Sequence, residues 1–105
     1  MTINIRATDM ELTEAIRAYI EEKFTMLEKY AHDIVQIDVN VGRDTNHHNK
    51  GKVHVCTASV SVKGNVIRVE RNEEDLYKAI DKVKDHLRET LAQRKERDLD
   101  SRKAE

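Results

Sequence analysis

Proline and tryptophan are missing from this chain of 105 residues, cysteine and phenylalanine occur once each, and glycine occurs three times. The lone Cys56 rules out a disulfide within the chain and suits a reducing compartment, so a cytoplasmic location is expected. Three isolated glycines cannot build a glycine-rich phosphate loop. No apolar run approaches the roughly 20 residues that span a bilayer. Arg6, Asp9 and Glu11 interrupt the N-terminal stretch, so no secretory signal is expected there. The soft-ligand candidates are His47, His48, His54 and Cys56, without C-x-x-C or H-x-x-x-H spacing, and zinc takes three or four ligands at typical spacings. They read as a polar loop and an ordinary strand pair, and neither a metal nor another cofactor is expected. Cys56 with a histidine would be a nucleophile pair, but nothing supplies an orienting third group or an oxyanion site. An enzyme is therefore not expected.

What is present is charge and period. Charged residues make up 37% of the chain and hydrophobic ones 38%, but the apolar residues recur regularly, which marks a folded domain rather than a disordered one. The length supports one domain with one small core. The net charge of −1 conceals an uneven distribution. Residues 9–30 carry six acids against three bases, whereas residues 76–97 carry seven bases against four acids. A basic C-terminal half on a near-neutral chain permits a localised anion-binding face.

Ile3 and Ile5 alternate with polar neighbours, which predicts a strand over about residues 2–7. Thr13 suits a helix N-cap, with Thr8 and Glu11 offering a competing capping box. From Leu12 to Leu27 apolar residues recur at helical spacing, and the helix should reach about residue 30. Val35, Ile37, Val39 and Val41 alternate with polar residues in a half-buried strand. Arg43 to Gly51 reads as a flexible connection. The next strand, about 52–62, changes phase between Val55 and Cys56, which a bulge or a strand twisted out of the sheet would explain. Gly64-Asn65 signals a two-residue hairpin. A fourth strand runs through Ile67 and Val69 to about Arg71. Asn72 then suits an N-cap, with Glu73, Glu74 and Asp75 in the first turn. The last helix buries Leu76, Ile80, Val83, Leu87 and Leu91. Its seam ends near Lys95, giving a domain over 1–97 and a short flexible tail over 98–105.

The order β-α-β-β-β-α, with alternating strands and two amphipathic helices, predicts a two-layer α+β domain. A four-stranded mixed sheet should carry both helices on one face and leave Asn4, Arg6, Gln36, Asp38, Asn40, Thr57, Ser59, Ser61 and Arg68 on the other. That open face lacks aromatics, which counts against a platform that stacks splayed bases. On a helical wheel Tyr77, Lys84, Arg88 and Lys95 fall beside the apolar seam, and Lys82, His86 and Arg97 flank its other side. Asp81, Asp85, Glu89 and Glu96 fall outward. Cations spaced along a rigid rod suit a run of phosphates, although lysine and arginine also snorkel beside any apolar seam.

The segment Asp75-Leu76-Tyr77-Lys78-Ala79-Ile80-Asp81 resembles the start of the last helix in the bacterial ribosome hibernation-promoting factors, also called ribosome-associated translation inhibitors. Leu12-Thr13-Glu14-Ala15-Ile16-Arg17, with Phe24, Leu27-Glu28-Lys29 and Tyr30, resembles that family's first helix. The resemblance covers about residues 1–95. It implies binding to the small ribosomal subunit and the 70S ribosome, where such factors overlap messenger and transfer RNA in the decoding region and block translation without catalysis. It implies ribosomal RNA contacts by Lys63, Arg68, Arg71, Tyr77, Lys78, Lys82, Lys84, Arg88, Arg94 and Lys95. No DNA or membrane partner is implied. The longer members carry a C-terminal dimerisation domain that these residues do not include, so the chain itself is expected to be monomeric. His86, Glu89 and Gln93 replace usually basic residues, with Arg88 and Arg94 at neighbouring positions. The alternative is a protein-binding regulator of the sigma-factor-modulator type, which would use the acidic first helix.

Overall fold

The computed structural model describes the backbone of residues 1–44 and 53–103, and side chains within those limits through Lys95. His47 and His48 lie outside the described residues, as does most of the expected connection. β1 (Thr2–Thr8), α1 (Glu14–Thr25), a 3-10 segment (Met26–Tyr30), β2 (Ile34–Arg43), β3 (His54–Val62), β4 (Asn65–Glu73) and α2 (Leu76–Lys103) follow in the expected order. The sheet order is β1-β2-β3-β4, with β1 parallel to β2 and both other pairs antiparallel. This is the two-layer α+β domain anticipated from the pattern. No described helix is long and apolar enough to cross a membrane.

α1 starts where local chemistry directs. The Thr13 hydroxyl accepts from the Ile16 amide at 3.2 Å, satisfying one of the orphan donors at the helix start. The competing Thr8–Glu11 box loses because Asp9 sits at φ 58°, a left-handed turn that short polar side chains tolerate. Ile16, Ile20 and Phe24 form the buried stripe, which Leu27 of the 3-10 segment extends. α1 packs on β1 and on α2, while α2 packs on β3, β4 and the 3-10 segment, so both helices cover one face. Between the layers lie Ile20, Phe24, Leu27, Ile37, Val39, Val41, Cys56, Ala58, Val60, Ile80, Val83, Leu87 and Leu91, all closed to solvent or nearly so. Each large aliphatic side chain buried there contributes about 1.5–3 kcal/mol.

Several expectations need correction. β3 is regular, and among the described residues the register shift lies in β2, between Ile34 and Gln36. Val35 is the extra residue there and is 64% exposed. Val55 instead stands on the open face opposite Gly42 and Asn72. Gly42 is small for a reason, because a Cβ on it would meet the Thr8 carbonyl oxygen at 2.8 Å. The hairpin loop is Lys63-Gly64, since Val62 already pairs with Asn65, and Gly64 adopts φ 80°. Asn72 is not the cap of α2. β4 continues to Glu73 opposite His54, and Asp75 caps instead: its carboxylate accepts from the Tyr77 amide at 2.8 Å and its carbonyl from the Ala79 amide at 3.1 Å. The backbone of α2 runs over Leu76–Lys103.

Candidate nucleic-acid interface

The ten residues implied by the resemblance divide among several surfaces. Tyr77, Lys84, Arg88 and Lys95 share the flank of α2 that meets α1, as their helical spacing requires. The Tyr77 ring meets the Tyr19 ring of α1 edge-on, with centroids 4.8 Å apart and planes at 87°. The Tyr19 hydroxyl donates to Asp81 Oδ1 at 2.5 Å. Asp81 therefore faces α1 rather than solvent, a correction to its outward assignment. Arg88 and Lys95 are exposed and make no ion pair among the described residues. The Lys84 ammonium lies 3.0 Å from Asp85 Oδ1, and its side chain is only 18% exposed. Lys84 is therefore half structural, with its stem along the seam and its charge partly balanced.

The opposite flank is tied to β4. Lys82 Nζ lies 2.5 Å from Glu73 Oε1, and that carboxylate is buried. Arg71 Nη2 donates to His86 Nδ1 at 3.1 Å. A guanidinium has donors only, so His86 Nδ1 is the acceptor in this contact. Arg94 grips Asp33, ahead of β2, through two bonds of 3.0 and 2.5 Å. The Arg94 hydrogen bonds hold the Asp33 carboxyl below the ordinary carboxylate range. Lys78 projects outward from the first turns of α2, and Lys63 occupies the hairpin tip. Arg68 stands on the opposite face of the sheet, aligned with Ser59, Asp38 and Asn4 across all four strands. The fold thus gathers Tyr77, Lys84, Arg88 and Lys95 and separates them from Arg68.

Sequence reading missed Lys23. Its ammonium lies 5.3 Å from the centre of the Tyr19 ring, which puts a further cation beside the α1–α2 seam. The spacing Tyr19 to Lys23, one helical turn, was the available signal. Arg6 lies on the open face, outside the ten residues that the resemblance implies. With Arg68 it lines a polar cleft of about 570 Å³ over Asp38, Asn40, Thr57 and Ser59. Asp38 accepts from Asn4 at 3.0 Å and from Gln36 at 2.7 Å, and these bonds hold its carboxyl low. The cleft carries both signs of charge and no aromatic ring, which suits neither base stacking nor strong phosphate attraction.

The thiol reading weakens further. Burial pushes the Cys56 thiol up to about 12, which keeps it protonated and poorly nucleophilic near neutrality. Among the described residues no three His, Cys, Asp or Glu side chains are grouped to hold a metal.

The Tyr19–Asp81 bond yields a prediction about stability. Donation to Asp81, followed by burial, raises the Tyr19 pKa to about 12. The folded value lies above the unfolded value of about 10, so the stabilisation is complete below pH 10 and is lost as pH climbs toward 12. Tyr19→Phe should be less stable than the parent at neutral pH by about 1 kcal/mol, with the gap closing between pH 10 and 12. Denaturant midpoints of both proteins against pH check this. Cys56 titrates in both and cancels in the difference. A gap that stays constant through pH 12 would contradict the bond.

Residues 3–98 match the family described as "Sigma 54 modulation protein / S30EA ribosomal protein". The chain is 33% identical over 94 residues to the ribosome hibernation promotion factor of Lactococcus lactis, covering 90% of this chain and 49% of that protein. It is 31% identical over 97 residues to the ribosome hibernation promoting factor of Salmonella typhimurium, covering 92% and 96% respectively. The chain therefore spans about half the length of some curated relatives and nearly all of others. Among solved structures, the Protein Y N-terminal domain of Thermus thermophilus superposes with a TM-score of 0.76 at 28% identity, over 89% of this chain and 98% of that one. A ribosomal subunit interface protein from Coxiella burnetii shares the fold, with a TM-score of 0.77 at 23% identity over 90% and 98%. A match across nearly the whole domain, on a fold with the same element order, makes this chain a member of the sigma 54 modulation protein / S30EA ribosomal protein family.

Proposed function

We propose that this protein is a cytoplasmic ribosome hibernation factor that binds the small subunit, in free subunits or 70S ribosomes, at the decoding region. One copy occupies the sites of messenger and transfer RNA and halts translation by exclusion, with no bond made or broken. The observation that carries this reading is the stripe of Arg88 and Lys95, with Lys84, Tyr77 and Lys23, along the α1–α2 seam. Four residues of helix rise about 6 Å, so Lys84 and Arg88 are spaced like successive phosphates on one strand. A rigid rod of this kind contacts backbone and shape rather than base identity. The names of the relatives support the same reading. Lys78, Lys63, Arg68 and the tethered Lys82, Arg71 and Arg94 form a wider shell of proposed RNA contacts around the stripe.

A second reading rests on the exposed acids Glu14, Glu21, Glu22 and Glu28 on and just beyond α1, and on the sigma 54 wording of the family description. They would serve a basic protein partner. Co-sedimentation with 30S and 70S ribosomes across a salt series separates the two. The RNA reading predicts saturable, near one-to-one binding, with log K falling by roughly 0.7–0.9 per neutralised phosphate for each tenfold rise in salt. No association at low salt would overturn it and favour the protein partner.

A further inference from the structure

β4 forms one edge of the sheet, and no described segment pairs with its outer side. Nine residues of backbone donors and acceptors alternate there between β3 and solvent. Charged side chains on an edge normally discourage pairing. Here their order does the reverse for one partner. Two identical strands can pair antiparallel about a two-fold axis perpendicular to the sheet, and paired residues must then share a face. The axis therefore falls on a residue. On Val69 it sets Arg68 opposite Glu70 of the second copy, and Glu70 opposite Arg68, both on the open face. The same register sets Asn65 opposite Glu73 and Ile67 opposite Arg71. Moving the axis to Arg68 or Glu70 confronts like charges. The β1 edge offers no comparable match, because an axis on Ile5 sets Arg6 opposite Asn4.

We propose that the free chain self-associates through antiparallel β4–β4 pairing centred on Val69, forming a continuous eight-stranded sheet with all four helices on one side. This departs from the monomer expected of the chain itself. The pairing uses the sheet edge rather than the α1–α2 stripe; it shares Arg68 and Arg71 with the wider shell of proposed RNA contacts, so it is tested without RNA.

Sedimentation equilibrium of the full chain without RNA tests the idea, from a few micromolar to about 0.5 mM, the range of weak symmetric contacts. The parent chain should move from monomer to dimer within that range. Arg68→Glu alone and Glu70→Arg alone each turn two attractive cross-strand pairs into repulsive ones and should weaken association by about tenfold. The double variant with both changes restores opposite charges and should return to within about threefold of the parent. Circular dichroism of each variant confirms that the fold is kept. A parent chain that stays monomeric throughout would overturn the pairing. Single variants that associate like the parent, or a double variant that fails to recover, would overturn this register.

Discussion

Arg88→Glu combined with Lys95→Glu is expected to reduce affinity for the small ribosomal subunit by about a hundredfold or more at physiological salt, with the thermal midpoint nearly unchanged. Both side chains are exposed, and neither joins an ion pair among the described residues. Nothing in the fold therefore depends on their sign, and surface changes of this kind cost within about 0.5 kcal/mol. Two cations become two anions opposite phosphates, so the loss combines missing attraction with new repulsion. The salt slope should flatten by about two phosphates' worth. Lys84→Glu is a poorer probe, because its half-buried stem and its contact with Asp85 mix stability into the readout. Sedimentation with 30S subunits alongside a melting curve separates the effects. Full binding by the folded double variant would remove the stripe from the interface.

One residue earlier the balance reverses. Leu87→Ala is expected to cost about 2–5 kcal/mol of stability, because the removed methyl groups leave a cavity between α2 and the sheet. Leu87 is completely buried, in line with Val83 and Leu91 along the helix. For a domain of this size each kcal/mol is worth about 4–8 °C in the midpoint. Any loss of ribosome binding should follow the unfolded fraction and recover on cooling toward the temperature of maximum stability. A midpoint within 2 °C of the parent, against roughly 10 °C or more expected, would mean that the core collapses around the gap. Neighbours on one helix thus separate function from folding, since a step of about 100° carries the side chain from the core seam to solvent.

The seam itself was legible in the sequence. Ile16, Ile20 and Phe24 on α1, and Ile80, Val83, Leu87 and Leu91 on α2, repeat at a spacing that only one face of a helix can satisfy. Val39, Val41, Ala58 and Val60 alternate as strands must when one face is buried. The cap of α2 is ambiguous in the sequence because Asn72, Glu73 and Asp75 all carry cap-compatible or first-turn chemistry. Pairing of Glu73 with His54 extended the strand and moved the cap to Asp75. Val53 and Val55 read out of phase with Cys56, Ala58, Val60 and Val62, which points to an irregular β3. The extra residue is Val35, and Val55 faces the open side opposite Gly42.

Charge was the least legible property. The helical wheel sets Lys82, Lys84, His86, Arg88, Lys95 and Arg97 near the seam without showing which cations of the domain are already engaged. Arg94 is held by Asp33 from 61 positions away, and Arg71 reaches His86 across 15 positions. The same distance effect turned Asp81 inward to Tyr19, 62 positions earlier in the chain. By itself the sequence determined the helices, the strands, the core and the basic character of α2, because periodicity and propensity act over a few residues. Only the tertiary structure decided which cations remain free to meet a phosphate, because ion pairing depends on distances in space between segments far apart along the chain.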